Sequence, residues 1–164
     1  MNMQQNGEHS YELPSDVIEY RDLARQIVRE KLLPLEPKYL ASSGHAYGLK
    51  EMFCLKAAFG DETANGLMKI ARDTGLWYLM VPEQYGGSGL SLLARIVILE
   101  EFMYTAVPFP FANVPNILYE CKGEQIDRYL KPTIEGEKTT CFAQTEPNAG
   151  SDPGGMMQTR AVRD

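Results

Sequence analysis

The segment that best separates this chain from an ordinary helical protein is Thr139-Thr140-Cys141-Phe142-Ala143-Gln144-Thr145-Glu146-Pro147-Asn148-Ala149-Gly150-Ser151-Asp152. Its first half mixes β-branched and aromatic residues in rough alternation, which predicts a strand. From Pro147 onward it is typical of a turn, because proline cannot donate to a sheet and Asn148 and Gly150 tolerate left-handed backbone. Small residues there let a ligand approach the backbone beside the hydroxyls of Thr145 and Ser151. On chemistry alone, a surface turn and a ligand-binding loop are both open.

Upstream of this segment, the patterns predict about six helices. The first is expected to begin at Ser15 and Asp16, with Glu19 completing a capping box. Pro34 is expected to end it and Pro37 to prevent an immediate restart.

Three further helices are predicted from their patterns and boundary residues. One is predicted over residues 49–59, and Asp61 is expected to cap the next, which ends before a left-handed Gly75. A third begins at Ser91 and continues to about Tyr104. It is apolar around much of its circumference, so it is expected to be central.

The chain is expected to be mainly α, with a boundary between a helical domain and a β domain near residue 138. The sequence pattern predicts a disordered tail at residues 1–12 and an α-helical domain at residues 13–137. It predicts the incomplete beginning of a β domain at residues 138–164. A second strand is expected at residues 159–164. Because one or two strands do not make a stable sheet, the chain is expected to be the front portion of a longer protein.

Composition excludes several classes of protein. The 164 residues carry a net charge of −6, which argues against a nucleic-acid partner, and no apolar run of the length needed for a membrane span is present. The N-terminus lacks the features of a signal or transit peptide, so a cytoplasmic location is expected. With two histidines and three widely spaced cysteines, no metal site is predicted, and the thiols are expected to be reduced and mostly buried.

Two other features invite a functional interpretation, and the structural one is favoured for both. The glycine-rich residues 86–89 precede a helix, but they lack a Walker lysine and a dinucleotide fingerprint, so a turn is expected rather than an anion site. Glu100 and Glu101 are adjacent carboxylates. Neighbours on a helix point about 100° apart, so a catalytic pair is not expected.

The order of residues in the 145–152 loop carries more information than its composition. The run Thr145-Glu146-Pro147-x-Ala149-Gly150-Ser151-Asp152 resembles the flavin-contacting signature of the acyl-CoA dehydrogenase family. A second resemblance to that family lies upstream, in Gly75-Leu76-Trp77 followed by Val81-Pro82-Glu83-x-Tyr85-Gly86-Gly87-x-Gly89.

The resemblance implies a fold and an activity. It implies an N-terminal helical bundle followed by the first strands of a β-barrel domain, with FAD as cofactor and an acyl-CoA thioester as substrate. The implied reaction is α,β-dehydrogenation, in which a carboxylate base removes the α proton and hydride passes to the flavin. It further implies an electron-transfer flavoprotein as acceptor and a homo-oligomer, dimer or tetramer, when the protein is full length.

The resemblance also implies roles for particular residues. Phe142, Gln144 and Thr145 are expected along the flavin ring, and Gly150 and Ser151 near the cofactor phosphates. Ser151 is also expected to touch the acyl-CoA near its pantetheine. The family's catalytic glutamate lies in a C-terminal domain, so no catalytic residue is assigned here. The chain alone is therefore expected to be inactive and to bind FAD weakly or not at all.

Three alternatives remain open. An acyl-CoA oxidase or a flavin monooxygenase relative keeps the fold and changes the chemistry. A truncated, non-catalytic helical assembly module keeps only the helices. The last is a generic helical protein whose loop matches by coincidence.

Overall fold

The computed structural model describes residues 12–42 and 51–162. They form two compact units, Met1–Val114 and Pro115–Asp164. The described residues contain helices, turns and one isolated β-bridge, and no strand. The mainly α class is therefore confirmed. The tail expected at residues 1–12 lies outside the described residues except for Glu12, as does most of the break expected around residue 43.

The described part of the first unit contains five α-helices, joined by short helical turns. They are α1 (Ser15–Ile27), α2 (Glu36–Ala41), α3 (Glu51–Phe59), α4 (Asp61–Asp73) and α5 (Leu92–Phe102). Shorter 3-10 turns span Leu76–Tyr78 and Glu83–Tyr85.

The sequence had predicted that the chain would break at Pro34 and Pro37, and it does not. It widens into a π-helix at Val28–Leu32 and tightens into a 3-10 turn at Leu33–Leu35, so it passes Pro34 without the hydrogen bond that proline cannot make. Pro37 then lies in the first turn of α2, where a helix has amides without partners and proline is accepted.

Two predicted helix caps are also wrong. Pro14 is the N-cap residue of α1 and no side chain caps it, so the capping box of Asp16 and Glu19 is absent. Gly60, at φ 85°, precedes α4, while Asp61 lies in its first turn and pairs with Lys56 at 2.9 Å. Glycine can occupy that left-handed conformation without steric cost.

The core of the first unit is built where α1 packs on α5 and α3 packs on α4. Beside it, Phe102, Phe109 and Phe111 form a cluster with ring centroids 4.5–5.3 Å apart. Two of these rings belong to the proline-rich segment at residues 107–111. Phe109 is buried in the structure, at 3% exposure.

The second unit begins with a 3-10 turn at Asn116–Glu120 and continues through a π-helix at Ile126–Leu130 into α6 (Lys131–Ile134). Pro132 does not stop this helix, because it occupies the first turn of α6. Leu130 is fully buried in this unit, whereas Tyr129 is 41% exposed.

The strands expected at residues 139–145 and from residue 159 are not confirmed. Residues 139–145 and 157–162 carry no regular secondary structure, and no neighbouring strand is present in the described part of the chain to pair with them. An alternating pattern is a preference for a pleated surface, and a strand exists only when another strand accepts its hydrogen bonds.

The thiols differ from their expected burial. The three cysteines are not joined in disulfides; Cys54 is buried, Cys121 is half-buried and Cys141 is exposed. In residues 12–42 and 51–162, none of the helices combines the length and apolar composition of a membrane-spanning segment.

Candidate functional site

The five residues predicted to contact a cofactor lie together on one exposed segment of the second unit. Phe142, Gln144, Thr145, Gly150 and Ser151 are all exposed, and Phe142 is 86% exposed. The segment thus presents an aromatic ring to solvent beside the side-chain amide of Gln144 and the hydroxyl of Thr145. The segment therefore combines an apolar surface with hydrogen-bonding groups.

The backbone of this segment turns between Glu146 and Ala149. The amide of Glu146 donates to the carbonyl of Ala149 and the amide of Ala149 donates back, both at 3.1 Å. Pro147 and Asn148 fill the turn between them. Neither Asn148 nor Gly150 adopts the left-handed conformation that the sequence had suggested. The turn nevertheless places Thr145 and Ser151 on either side of this bridge.

Glu146 joins the start of the segment to a distant part of the chain. Its Oε2 accepts from the amide of Gln158 at 2.8 Å, and its Oε1 accepts from the amide of Thr159 at 2.9 Å. A hydrogen bond from the Thr159 side chain, followed by the two backbone amides, lowers the pKa of Glu146 against a small opposing effect of burial. The sequence did not predict this role, because no local pattern links Glu146 to partners that lie 12 and 13 positions further along the chain.

Asp152 organises the far side of the same segment. Its Oδ1 accepts from the amide of Gly155 at 3.2 Å, at the start of the short helix α7 (Pro153–Met156). Short polar side chains commonly satisfy first-turn amides in this way. A Cβ added at Gly155 would lie 2.6 Å from Asp152 Oδ2, so a side chain there would displace this carboxylate.

A separate cavity of about 350 Å³ lies in the first unit, where α1 meets α5. Its charged residues include Arg25 and Glu101. Arg25 Nη2 lies 2.6 Å from Glu101 Oε1, and Arg25 Nε lies 3.0 Å from Glu101 Oε2. This two-point hydrogen bond and the glutamate charge raise the pKa of Arg25. Glu101 therefore belongs to an ion pair between α1 and α5, while Glu100 is exposed.

The glycine-rich turn also has a structural explanation. The amide of Gly86 donates to Glu83 at 2.9 Å, and the amide of Gly87 donates to Pro82 at 3.1 Å. These donors are therefore used within the turn rather than presented to an anion. Among the described residues, His, Cys, Asp and Glu side chains do not gather in groups of three that suit a metal ion.

Comparison with known proteins places the chain in a family. Residues 15–137 match the family described as acyl-CoA dehydrogenase, N-terminal domain. The chain is 40% identical over 93 residues to the caffeyl-CoA reductase-Etf complex subunit CarC of Acetobacterium woodii, an overlap of 52% of this chain and 24% of the relative. It is 37% identical over 101 residues to the 3-(aryl)acrylate reductase of Clostridium sporogenes, an overlap of 57% of this chain and 26% of the relative.

A third relative covers more of the chain. The (R)-benzylsuccinyl-CoA dehydrogenase of Thauera aromatica is 30% identical over 153 residues, which are 88% of this chain and 36% of the relative. The chain thus spans about a quarter to a third of the length of these relatives. No solved structure matches it. The match over residues 15–137 shows that the chain belongs to the acyl-CoA dehydrogenase family, as a carrier of its N-terminal domain.

Proposed function

We propose that this chain forms part of an FAD-dependent enzyme that introduces or removes the α,β double bond of an acyl-CoA thioester. Family membership supports the reaction class. The observation that carries the site is the joint exposure of Phe142, Gln144, Thr145, Gly150 and Ser151 on one segment held in a defined turn.

The donor chemistry of this segment fits FAD. The exposed ring of Phe142 suits contact with the flavin, and the hydroxyl of Thr145 suits hydrogen bonding to its polar edge. Gly150 and Ser151 offer a close backbone approach and a hydroxyl for the phosphates, and Ser151 extends to the pantetheine of the substrate. FAD, when bound, supplies the hydride acceptor for dehydrogenation.

None of the carboxylates that invite a catalytic role is assigned as the base. Glu101 is held by Arg25 at 2.6 Å, and both oxygens of Glu146 accept backbone hydrogen bonds. A general base needs a lone pair within reach of the proton that it removes. The base is therefore proposed to come from elsewhere in the full enzyme, in accordance with the family pattern.

The direction of the reaction has support on both sides. One of the three relatives is named a dehydrogenase and two are named reductases. The name of the Acetobacterium woodii relative includes an Etf complex, which supports an electron-transfer flavoprotein as partner of this protein. A cytoplasmic location and a homo-oligomeric full-length protein, dimer or tetramer, complete the proposal.

Titration of the 15N-labelled chain with FAD, followed by NMR, tests the placement of the cofactor. We expect saturable amide shifts concentrated at residues 142–151. The expected Kd is on the order of 1 mM, a binding free energy of about −4 kcal/mol, because the chain supplies only one side of the proposed FAD site. Thr145→Val and Ser151→Ala are expected to weaken binding. Thr139→Val, at an exposed threonine of the same segment, is the matched control and is expected to leave binding unchanged.

The same titration has two contradicting outcomes. Shifts that avoid residues 142–151, or none at several millimolar FAD, would remove the cofactor from this segment. A tight stoichiometric complex would instead show that the chain binds FAD without contacts from the rest of the full-length protein.

A further inference from the structure

One carboxylate closes the segment that carries the proposed cofactor contacts. Glu146 begins the turn at residues 146–149, and its two oxygens bind the consecutive amides of Gln158 and Thr159. The chain between these points includes Ser151 and the Asp152 cap of α7. Thr145 is the residue directly before the closing carboxylate. Both hydroxyls of the proposed site therefore depend on the same closure for their position.

The closure needs an ionised carboxylate. Each of the two amides is bonded to its own oxygen, Gln158 to Oε2 and Thr159 to Oε1, and a carboxylate provides both acceptors. Glutamine has only one oxygen and would direct its NH2 group at the second amide. Charge also strengthens the bonds, because hydrogen bonds to ionised acceptors are about twice as strong as neutral ones.

We propose that Glu146 is a positioning residue, whose carboxylate closes the 146–159 loop and thereby sets the places of Thr145 and Ser151 for the ligand. The functional half of this statement rests on the proposed function. The closure itself is a property of the free chain and is testable without any cofactor.

The protonation behaviour of Glu146 agrees with the geometry. Its hydrogen bonds, first of all that from the Thr159 side chain, lower its pKa from the ordinary value of 4.5, and no charged neighbour is among the causes. A lowered folded-state pKa means that the closure contributes fully above pH 4.5. It is lost as the pH falls through the lowered folded-state value.

Amide hydrogen exchange and NMR pH titration of the 164-residue chain test the closure. In the wild type, the Gln158 and Thr159 amides are expected to be protected and to shift together with a midpoint below pH 4.5. In Glu146→Gln, we expect roughly tenfold faster exchange at these two amides, and no titration of their shifts. Glu137→Gln removes an exposed carboxylate of the same unit and is expected to match the wild type at both amides.

The closure is overturned if Glu146→Gln leaves both the exchange rates and the pH titration of the two amides unchanged. FAD titration of the same variants then tests the consequence. We expect the Kd of Glu146→Gln to rise roughly tenfold, since the site loses its preorganisation. Equal binding by both forms overturns the positioning role. A third outcome is that Glu146→Gln loses the closure while the wild-type chain shows no FAD-induced shifts. That result overturns the proposed cofactor site but still supports the closure by Glu146.

Discussion

Gly87 lies so close to the backbone of Val81 that no side chain fits. A Cβ placed there would be 1.6 Å from the Val81 carbonyl oxygen and 2.3 Å from the carbonyl carbon. Both obstacles are backbone atoms of a buried residue, so they cannot rotate away as a flexible side chain would. The glycine is required by packing and not by its φ angle.

We expect Gly87→Ala to lower the free energy of unfolding by at least about 3 kcal/mol, because the turn must move to relieve the overlap. Urea denaturation followed by circular dichroism measures this. Gly66→Ala is the matched control. Gly66 lies within α4 with nothing within 4 Å of its added Cβ, and we expect a gain of about 0.5–1 kcal/mol. A Gly87→Ala protein as stable as the wild type would contradict the close approach.

At the scale of elements, α5 shows how packing selects among faces that the sequence leaves equivalent. The helix is rich in apolar residues all round, and its centrality was predicted on that basis. Its residues Ala94, Ile98 and Phe102 are buried in the core of the first unit, whereas Leu92 is 71% exposed and Ile96 is 54% exposed. The prediction of a helix was correct, and the sequence pattern left open which of its apolar faces is buried.

The start of α5 is determined locally. Ser91 is the N-cap residue, and its hydroxyl accepts from the amide of Ala94 at 3.2 Å. We expect Ser91→Ala to lower the free energy of unfolding by about 1 kcal/mol, since a first-turn amide loses its acceptor. Thermal or urea denaturation measures the change. Ser88→Ala, whose hydroxyl lies at 3.5 Å from the Leu79 carbonyl, is expected to stay within about 0.5 kcal/mol, and equal effects of the two changes would argue against the cap.

At the scale of the whole molecule, Arg25 and Glu101 join α1 to α5 across 76 positions of sequence. The two partners are unequally exposed, with side-chain exposures of 39% for Arg25 and 10% for Glu101. Removing the arginine leaves a buried carboxylate without its cation, whereas removing the glutamate leaves an arginine that can still reach water.

We therefore expect Arg25→Met to lower the urea midpoint more than Glu101→Leu does. The double variant is expected to be more stable than the sum of the two losses predicts, because it leaves no unpaired charge. A double-mutant cycle in urea measures this coupling. Arg21→Met is the control, because Arg21 pairs with its exposed neighbour Asp22 within α1. Strict additivity of the Arg25 and Glu101 changes would contradict a coupled pair.

The sequence by itself determined the features whose causes lie within a few residues. The mainly helical class, the start of α5 at Ser91, the left-handed Gly75 after α4 and the grouping of the proposed cofactor contacts all follow from local chemistry. Family membership was also visible in two short motifs, and the match over residues 15–137 confirms it.

Tertiary structure alone decided the rest. The buried face of α5, the pairing of Arg25 with Glu101 and the closure of the loop by Glu146 join residues that are far apart in the chain, so no local pattern specifies them. The strand expected at residues 139–145 is not confirmed, and its absence from the described residues has the same kind of cause. Alternation can favour an extended backbone, but only hydrogen bonds to a neighbouring strand make it a strand.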